Sequence, residues 1–151
     1  MAEGGYEYSA AHVRVLRDCC RDISAWAPPA FWRAEIDRLR SCYNGIGPEA
    51  WSSRLRNLVT RLLEPFEVAA LIHDFEFGTA RRSYGAFTLA NLRFGVNAVL
   101  EAFHRHPPRA DRRELRRLLA MCGAGVLLAG LCQLCGWTGF MQTKIEIEKN
   151  A

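Results

Sequence analysis

A long uncharged stretch near the C-terminus constrains the fold of this chain most. From Leu118 to Thr143 the sequence carries no Asp, Glu, Lys or Arg. A helix needs about 20 apolar residues to cross a bilayer, so this stretch is long enough for a membrane span. It must therefore be covered, either by lipid or by the rest of the protein.

Two features favour a buried core helix over a membrane span. The residues that interrupt the stretch and lower its hydropathy are Gly123, Gly125, Gly130, Gln133 and Gly136. The upstream segments carry apolar faces that also need a partner to cover them. We therefore expect residues 118 to 136 to form a helix buried against the domain. A small membrane protein anchored by a single span at residues 118 to 140 is the alternative.

The bulk properties predict one folded domain that comprises residues 1–151. The chain has 151 residues, which is long enough for one core and short for two domains. Half of the residues are hydrophobic and 24% are charged, and this balance excludes a disordered chain.

Apolar residues recur at helical spacing through the first half of the sequence, and prolines mark the boundaries of the predicted helices. Ser9 can cap a helix whose apolar residues recur until Pro28-Pro29 ends it. A second helix is predicted to start there and to run into the turn-rich sequence SCYNGIGP, residues 41–48. Pro48 then opens a third helix, which Glu64-Pro65 ends. The pattern is that of an all-α protein.

Prolines and a glycine mark the predicted helix boundaries in the second half of the sequence as well. Pro65 opens a helix that contains His73, and Gly78 is placed to end it in a left-handed conformation. After a short turn, apolar residues from Phe87 to Ala98 share one face of a further helix, which stops at His106-Pro107-Pro108. Only the tail, residues 144–150, alternates like a strand, and it can equally be a frayed end.

The charge pattern and the N-terminal sequence restrict the expected partners and the expected cellular location. The net charge of +4 includes a cluster at Arg112, Arg113, Arg116 and Arg117, which fits a solvated helix face or lipid phosphates. Because no basic stripe is interleaved with aromatic residues, nucleic acid is not an expected partner. The N-terminus lacks a secretory signal, so we expect a cytoplasmic or membrane-associated protein.

The six cysteines show no secreted-domain framework and are expected to be reduced thiols. Cys132 and Cys135 form a CxxC pair, but a structural zinc site needs a second pair of ligands. No zinc site is therefore predicted.

Two short motifs carry the chemistry of a calcium-dependent hydrolase. Residues 42–48, CYNGIGP, form a glycine-containing loop whose carbonyl oxygens can turn toward a hard cation. In the second motif, residues 72–77, Asp74 would add negative charge and His73 beside it could deprotonate a water. A plain chain turn and an ordinary His-Asp dipeptide are the alternative interpretations.

Both motifs resemble those of the phospholipase A2 superfamily. Tyr43-Asn44-Gly45-Ile46-Gly47 fits the calcium loop Tyr-x-Gly-x-Gly. His73-Asp74-Phe75-Glu76-Phe77 fits the catalytic His-Asp-x-x-Tyr except at its last position. The resemblance implies that Ca²⁺ is held by the carbonyls of Tyr43, Gly45 and Gly47 and the carboxylate of Asp74. It also implies that His73 is the general base acting on glycerophospholipid esters at a membrane surface.

Within this superfamily, the pattern more closely resembles that of the small disulfide-free phage and bacterial proteins. Residues 90–97, ANLRFGVN, match the pattern Ala-Asp-x-x-Phe-x-x-Asn of their next helix except at Asn91. Residues 136–140 resemble the Gly-x-x-x-Phe near the end of their last helix. The resemblance implies a phospholipase A2-like core with an antiparallel helix pair at 41–140. The helices predicted at 1–40 lie before this core, and a tail at 141–151 follows it.

Two departures from the family pattern affect the expected activity. Asn91 stands where the family has the aspartate that orients the histidine, and Phe77 stands where it has a supporting tyrosine. A neutral amide can accept a hydrogen bond from His73 but cannot stabilise an imidazolium by charge; in serine proteases this exchange costs about 10⁴ in turnover. Activity is expected to be weak or lost. A catalytically inert phage-type binding or structural module is the alternative function.

Overall fold

The computed structural model describes residues 8–43, 64–108, 111–137 and 140–141. Within these ranges the protein is all-helical and has no strand, which confirms the predicted class. The helices are α1 (Ala10–Asp22), α2 (Pro29–Arg33), α3 (Ile36–Cys42), α4 (Glu67–Thr79), α5 (Tyr84–Arg105) and α6 (Arg112–Cys135), with a 3₁₀ turn at Glu64–Phe66. Gly45, Gly47, the helix predicted from Pro48 and the tail from residue 142 lie outside the described residues.

Helix α1 begins as predicted and ends earlier than predicted. The Ser9 hydroxyl accepts the backbone N–H of His12 at 3.1 Å, which confirms the N-cap. The helix stops at Asp22, before Pro28, because Ser24 adopts a left-handed φ of 52°. Ala25 N–H then donates to the carbonyl of Cys20 at 2.8 Å, and Ser24 N–H donates to the carbonyl of Arg21 at 3.0 Å. This is a Schellman motif with serine in the position that glycine usually occupies.

The single helix predicted after Pro28 is instead two short helices, α2 and α3. Ala34 and Glu35 are extended, with ψ of 140° and 151°, and separate them. The guanidinium of Arg17 on α1 donates to the carbonyl of Ala34 at 3.0 Å, so a tertiary contact satisfies a group that a continuous helix would have used. Phe31 and Leu39 remain fully buried on either side of the break.

Helix α4 continues through Gly78, so the prediction that this glycine ends the helix was wrong. The helix ends at Thr79, whose hydroxyl donates to the carbonyl of Phe75 at 2.7 Å. A Cβ at position 78 would lie 3.1 Å from the Cys42 sulfur of α3. Glycine at position 78 therefore leaves room for the close approach of α4 to α3, and its φ is not in the left-handed region.

Helices α4 and α5 pack antiparallel to each other. Their contacts run in opposite order along the two helices: Phe77 meets Phe87 with ring centroids 5.9 Å apart, His73 meets Asn91, and Ala69 meets Glu101. The connection is short, and the Ser83 hydroxyl caps α5 by accepting the N–H of Ala86 at 3.1 Å. Helix α5 ends at Arg105, at the predicted His106-Pro107 boundary.

Helix α6 packs antiparallel on α5, and small residues allow a close approach. A Cβ on Gly125 would lie 2.6 Å from the Ala98 Cβ, and one on Gly95 would lie 3.1 Å from the Ala129 Cβ. Only this inner face is covered: the most apolar 18-residue window of α6 is 11% buried. The predicted helix at residues 118 to 136 is present and packs against the domain through this face, while its opposite face is exposed. By length and composition α6 is long and apolar enough to cross a membrane.

Candidate functional site

The candidate site is centred on His73, which α4 places against α5. The side chain is buried, and its Nε2 lies 3.0 Å from the Oδ1 of Asn91. The predicted hydrogen bond between these two residues is confirmed. Positions 73 and 91 meet because α4 and α5 are joined by only four residues, so residues nearly equidistant from the turn face each other.

Asn91 is oriented in turn by Gln133 of α6. Its Nδ2 donates to the Gln133 Oε1 at 2.9 Å, and the Gln133 Nε2 lies 3.1 Å from both the Tyr84 hydroxyl and the Thr88 hydroxyl. With its amide group engaged as donor, Asn91 presents Oδ1 to the histidine as an acceptor. His73 must then carry its proton on Nε2, and Nδ1 keeps a free lone pair.

The free nitrogen of His73 faces the neighbouring carboxylate. Nδ1 lies 3.6 Å from the Oδ1 of Asp74, whose side chain is 19% exposed. His73 is thus placed to accept a proton at Nδ1 while Nε2 stays hydrogen-bonded to Asn91.

Asp74 also lies near the end of α3, where the predicted calcium loop begins. Burial, then Glu67, Tyr8 and Asp74, raise the pKa of the Tyr43 hydroxyl well above its usual range. The Asp74 carboxylate is therefore close enough to the Tyr43 hydroxyl to affect its pKa. Backbone carbonyl and carboxylate oxygens are the donors that Ca²⁺ prefers, so these two residues fit the ion chemically.

Among the described residues, no three His, Cys, Asp or Glu side chains are grouped to hold a metal ion. A calcium site of the predicted kind draws mainly on backbone carbonyls. Two of these, from Gly45 and Gly47, belong to residues outside the described ranges.

Aromatic rings close the inner side of the site. The ring centroid of Phe77 lies 4.0 Å from that of His73, and the Phe94 centroid lies 5.3 Å away. Phe77 itself packs on Phe140 and Phe87 at 5.0 and 5.9 Å. These rings fix the plane of the imidazole and exclude water from that side, because they leave it no polar partner.

Gln133 is the site residue that sequence reasoning missed. With phenylalanine at position 77 there is no hydroxyl to support position 91, and Gln133 supplies a polar partner from another helix. A signal was present in the sequence, since Gln133 is the only residue of α6 downstream of Arg117 with a hydrogen-bonding polar side chain other than a thiol. A lone amide in an apolar helix usually has a buried partner.

A second polar cluster anchors the chain beside the site. Asn97 is fully buried; its Oδ1 accepts the N–H of Trp26 at 2.7 Å, and its Nδ2 donates to the carbonyl of Trp26 at 3.1 Å. Arg93 pairs with Glu76 and lies over the Trp26 ring, with its guanidinium carbon 5.1 Å from the centroid. These contacts hold the segment after α1 against α4 and α5.

All six cysteines are free thiols, as expected, although only Cys20 and Cys42 are buried. Burial raises the pKa of Cys20 to about 12. Partial loss of solvent around the half-buried Cys132 thiol, with Asp74 and Cys135 adding to the effect, raises its pKa to about 11. Neither thiol is therefore ionised near neutral pH, and neither is activated as a nucleophile.

Comparison of the chain with protein-family models, with curated proteins and with solved structures gave no significant match.

Proposed function

We propose that the His73 site hydrolyses ester bonds of glycerophospholipids, as a slow phospholipase A2-like enzyme. The observation that carries this proposal is the oriented imidazole: Nε2 is hydrogen-bonded to Asn91 at 3.0 Å and Nδ1 is free beside Asp74. An oriented base of this kind is what activation of a water molecule requires. The calcium-loop pattern at residues 43–47, which follows α3 in the sequence, supports the same assignment.

The proposed reaction uses His73 first as a base and then as an acid. A water hydrogen-bonded to Nδ1 gives its proton to that nitrogen as its oxygen attacks the ester carbonyl. The tetrahedral intermediate collapses to the free fatty acid, and the Nδ1 proton passes to the departing alkoxide of the lysophospholipid. His73 ends neutral, with its Nε2–H still donated to Asn91.

Calcium, when bound by the carbonyls of Tyr43, Gly45 and Gly47 and by the Asp74 carboxylate, would supply positive charge to the carbonyl oxygen. The side chain that supports His73 limits the rate of the proposed reaction. Asn91 holds the imidazole in place but carries no charge to offset the imidazolium, so turnover is expected to be slow.

Fatty-acid release from phosphatidylcholine vesicles with calcium tests this proposal. The natural protein should release fatty acid slowly, and His73→Gln should reduce the rate to background because its amide cannot act as a base. His104→Gln, at an exposed histidine on α5, is the matched control and should keep the natural rate. Equal rates for His73→Gln and the natural protein would refute the assignment.

The second candidate function is an inert binding module on the same scaffold. The observation that favours it is the neutral support of His73, in which Asn91 and Phe77 replace a charged and a hydroxyl-bearing residue. Such a protein would bind calcium without cleaving lipid. Calcium should then raise the melting temperature, Asp74→Asn should remove that shift, and Asp18→Asn on α1 should retain it.

A further inference from the structure

The face of α6 that points away from α5 is apolar and exposed. Leu119, Leu127 and Leu134 are 62%, 65% and 81% exposed. Leu115, Val126 and Leu131 are also exposed, and small residues fill the positions between them. At 1.5 Å per residue, the stretch from Leu119 to Leu134 is about 23 Å long. Soluble proteins rarely leave a contiguous apolar surface of this kind uncovered.

Arginines continue this outer face at its N-terminal end. Arg113, Arg116, Ala120, Gly123, Leu127, Leu131 and Leu134 follow one another at spacings of three and four residues and are all exposed. Residues at these spacings lie on one side of a helix. The outer face is therefore cationic at one end and apolar along the rest.

The inner face keeps α6 attached to the domain. Gly125 allows backbone-close contact with Ala98, and Gln133 is hydrogen-bonded to Asn91. A bilayer around all sides of α6 would break these contacts and leave the Asn91 amide without that partner. Only the outer half of the helix is available to lipid, which corresponds to a helix lying in the membrane surface and not across it.

The charges on the outer face favour a bilayer over a second copy of this chain as the partner that covers this face. The only acidic residue in α6 is Glu114, and it already pairs with Arg117 and His106. Two outer faces packed together would therefore bring no acid to Arg113 and Arg116. Lipid phosphates supply the missing negative charge, and acyl chains cover the leucines.

We propose that the outer face of α6 docks on anionic phospholipid bilayers, with its leucines at the acyl-headgroup boundary and its arginines on lipid phosphates. This rests on the proposed function only in that a lipid substrate makes a bilayer the expected neighbour. It assigns a docking surface separate from His73, so binding and hydrolysis can be tested apart.

The test is cosedimentation of the full chain with vesicles of ether-linked phosphatidylcholine, with and without ether-linked phosphatidylglycerol. These lipids have no acyl ester, so hydrolysis cannot affect the result. The protein should bind the anionic vesicles at least about tenfold more tightly than the neutral ones. Leu127→Glu with Leu134→Glu should weaken binding to anionic vesicles about tenfold or more, since each removes apolar contact and adds negative charge.

Two further variants separate the parts of the surface. Arg113→Gln with Arg116→Gln should remove most of the preference for anionic vesicles. Val15→Glu changes an apolar residue on α1 that is 60% exposed, and as the matched control it should leave binding unchanged. Circular dichroism of each variant establishes that it is folded.

Three results would overturn the proposal. The first is the absence of vesicle binding by the natural protein, or unchanged binding by the double leucine variant. The second is a lipid-free dimer that the leucine variant dissociates, which would assign the face to a second copy. The third is a protein that resists alkaline extraction and needs detergent, which would show that α6 crosses the membrane.

Discussion

At the residue scale, the site depends on a chain of amides that fixes a histidine. The pairing of His73 with Asn91 was expected from the family resemblance together with two helical patterns joined by a short turn, and the structure confirms the hydrogen bond. Gln133 was out of reach because its partner lies 42 positions away on a different helix. The spacing of residues within one helix does not predict a contact with a different helix.

Replacing Gln133 by leucine should change the tautomer of His73. Without the Gln133 oxygen, the Asn91 amide can turn and present its Nδ2 to the imidazole, which then needs an unprotonated Nε2. In ¹⁵N-detected NMR, the natural protein should show a protonated Nε2 and a free Nδ1. Gln133→Leu should show a mixture of the two tautomers, whereas Cys135→Leu at the end of the same helix should not. A single tautomer in Gln133→Leu would remove Gln133 from the site.

At the element scale, apolar spacing and capping residues predicted the helices better than their ends. The Ser9 cap and the Pro107 boundary were correct because both act through local backbone chemistry. The prediction that Gly78 ends its helix was wrong because this glycine packs against Cys42, which is distant in sequence. The break at Ala34 escaped prediction because a guanidinium from another helix stabilises it.

The end of α1 supplies a test of local backbone strain. Ser24 is exposed and has a φ of 52°, a region that disfavours a residue with a Cβ. Ser24→Gly should raise the free energy of unfolding by about 0.5 to 1 kcal/mol, after the entropy cost of glycine in the unfolded chain is included. Thermal unfolding should show the gain, and Ser24→Val should show a loss because a β-branched residue fits this region poorly. A lower melting temperature for Ser24→Gly would show that the turn is not strained.

At the scale of the whole molecule, one buried acid links stability to pH. Burial raises the pKa of Glu101 from its ordinary value of 4.5 to about 7, against the opposing effects of Arg105 and of the Ala69 and Val68 N–H groups. Between these two pH values the unfolded chain has lost this proton and the folded protein still holds it. The contribution of Glu101 to stability therefore falls as pH rises from 4.5 to about 7 and is constant above that range.

Glu101→Gln should remove this part of the pH dependence. Urea unfolding across the same range should show a smaller decline in the free energy of unfolding for the variant than for the natural protein. Glu114→Gln, at a carboxyl whose pKa is lowered by its hydrogen bond to His106, should not flatten the decline. Parallel curves for Glu101→Gln and the natural protein would mean that Glu101 is not titrating in this range.

The central claim is that His73 is the base of a slow phospholipid hydrolase, whose turnover is limited because the hydrogen-bonded Asn91 carries no charge. The most direct measurement is the calcium-dependent rate of fatty-acid release by Asn91→Asp combined with Phe77→Tyr. Gln133 can follow this change by turning its amide to donate to the new carboxylate, while the Tyr84 and Thr88 hydroxyls donate to its oxygen. The rate should rise about 10²-fold or more, because the reverse exchange costs about 10⁴ in serine proteases. A folded double variant that cleaves lipid no faster than the natural protein would contradict the claim.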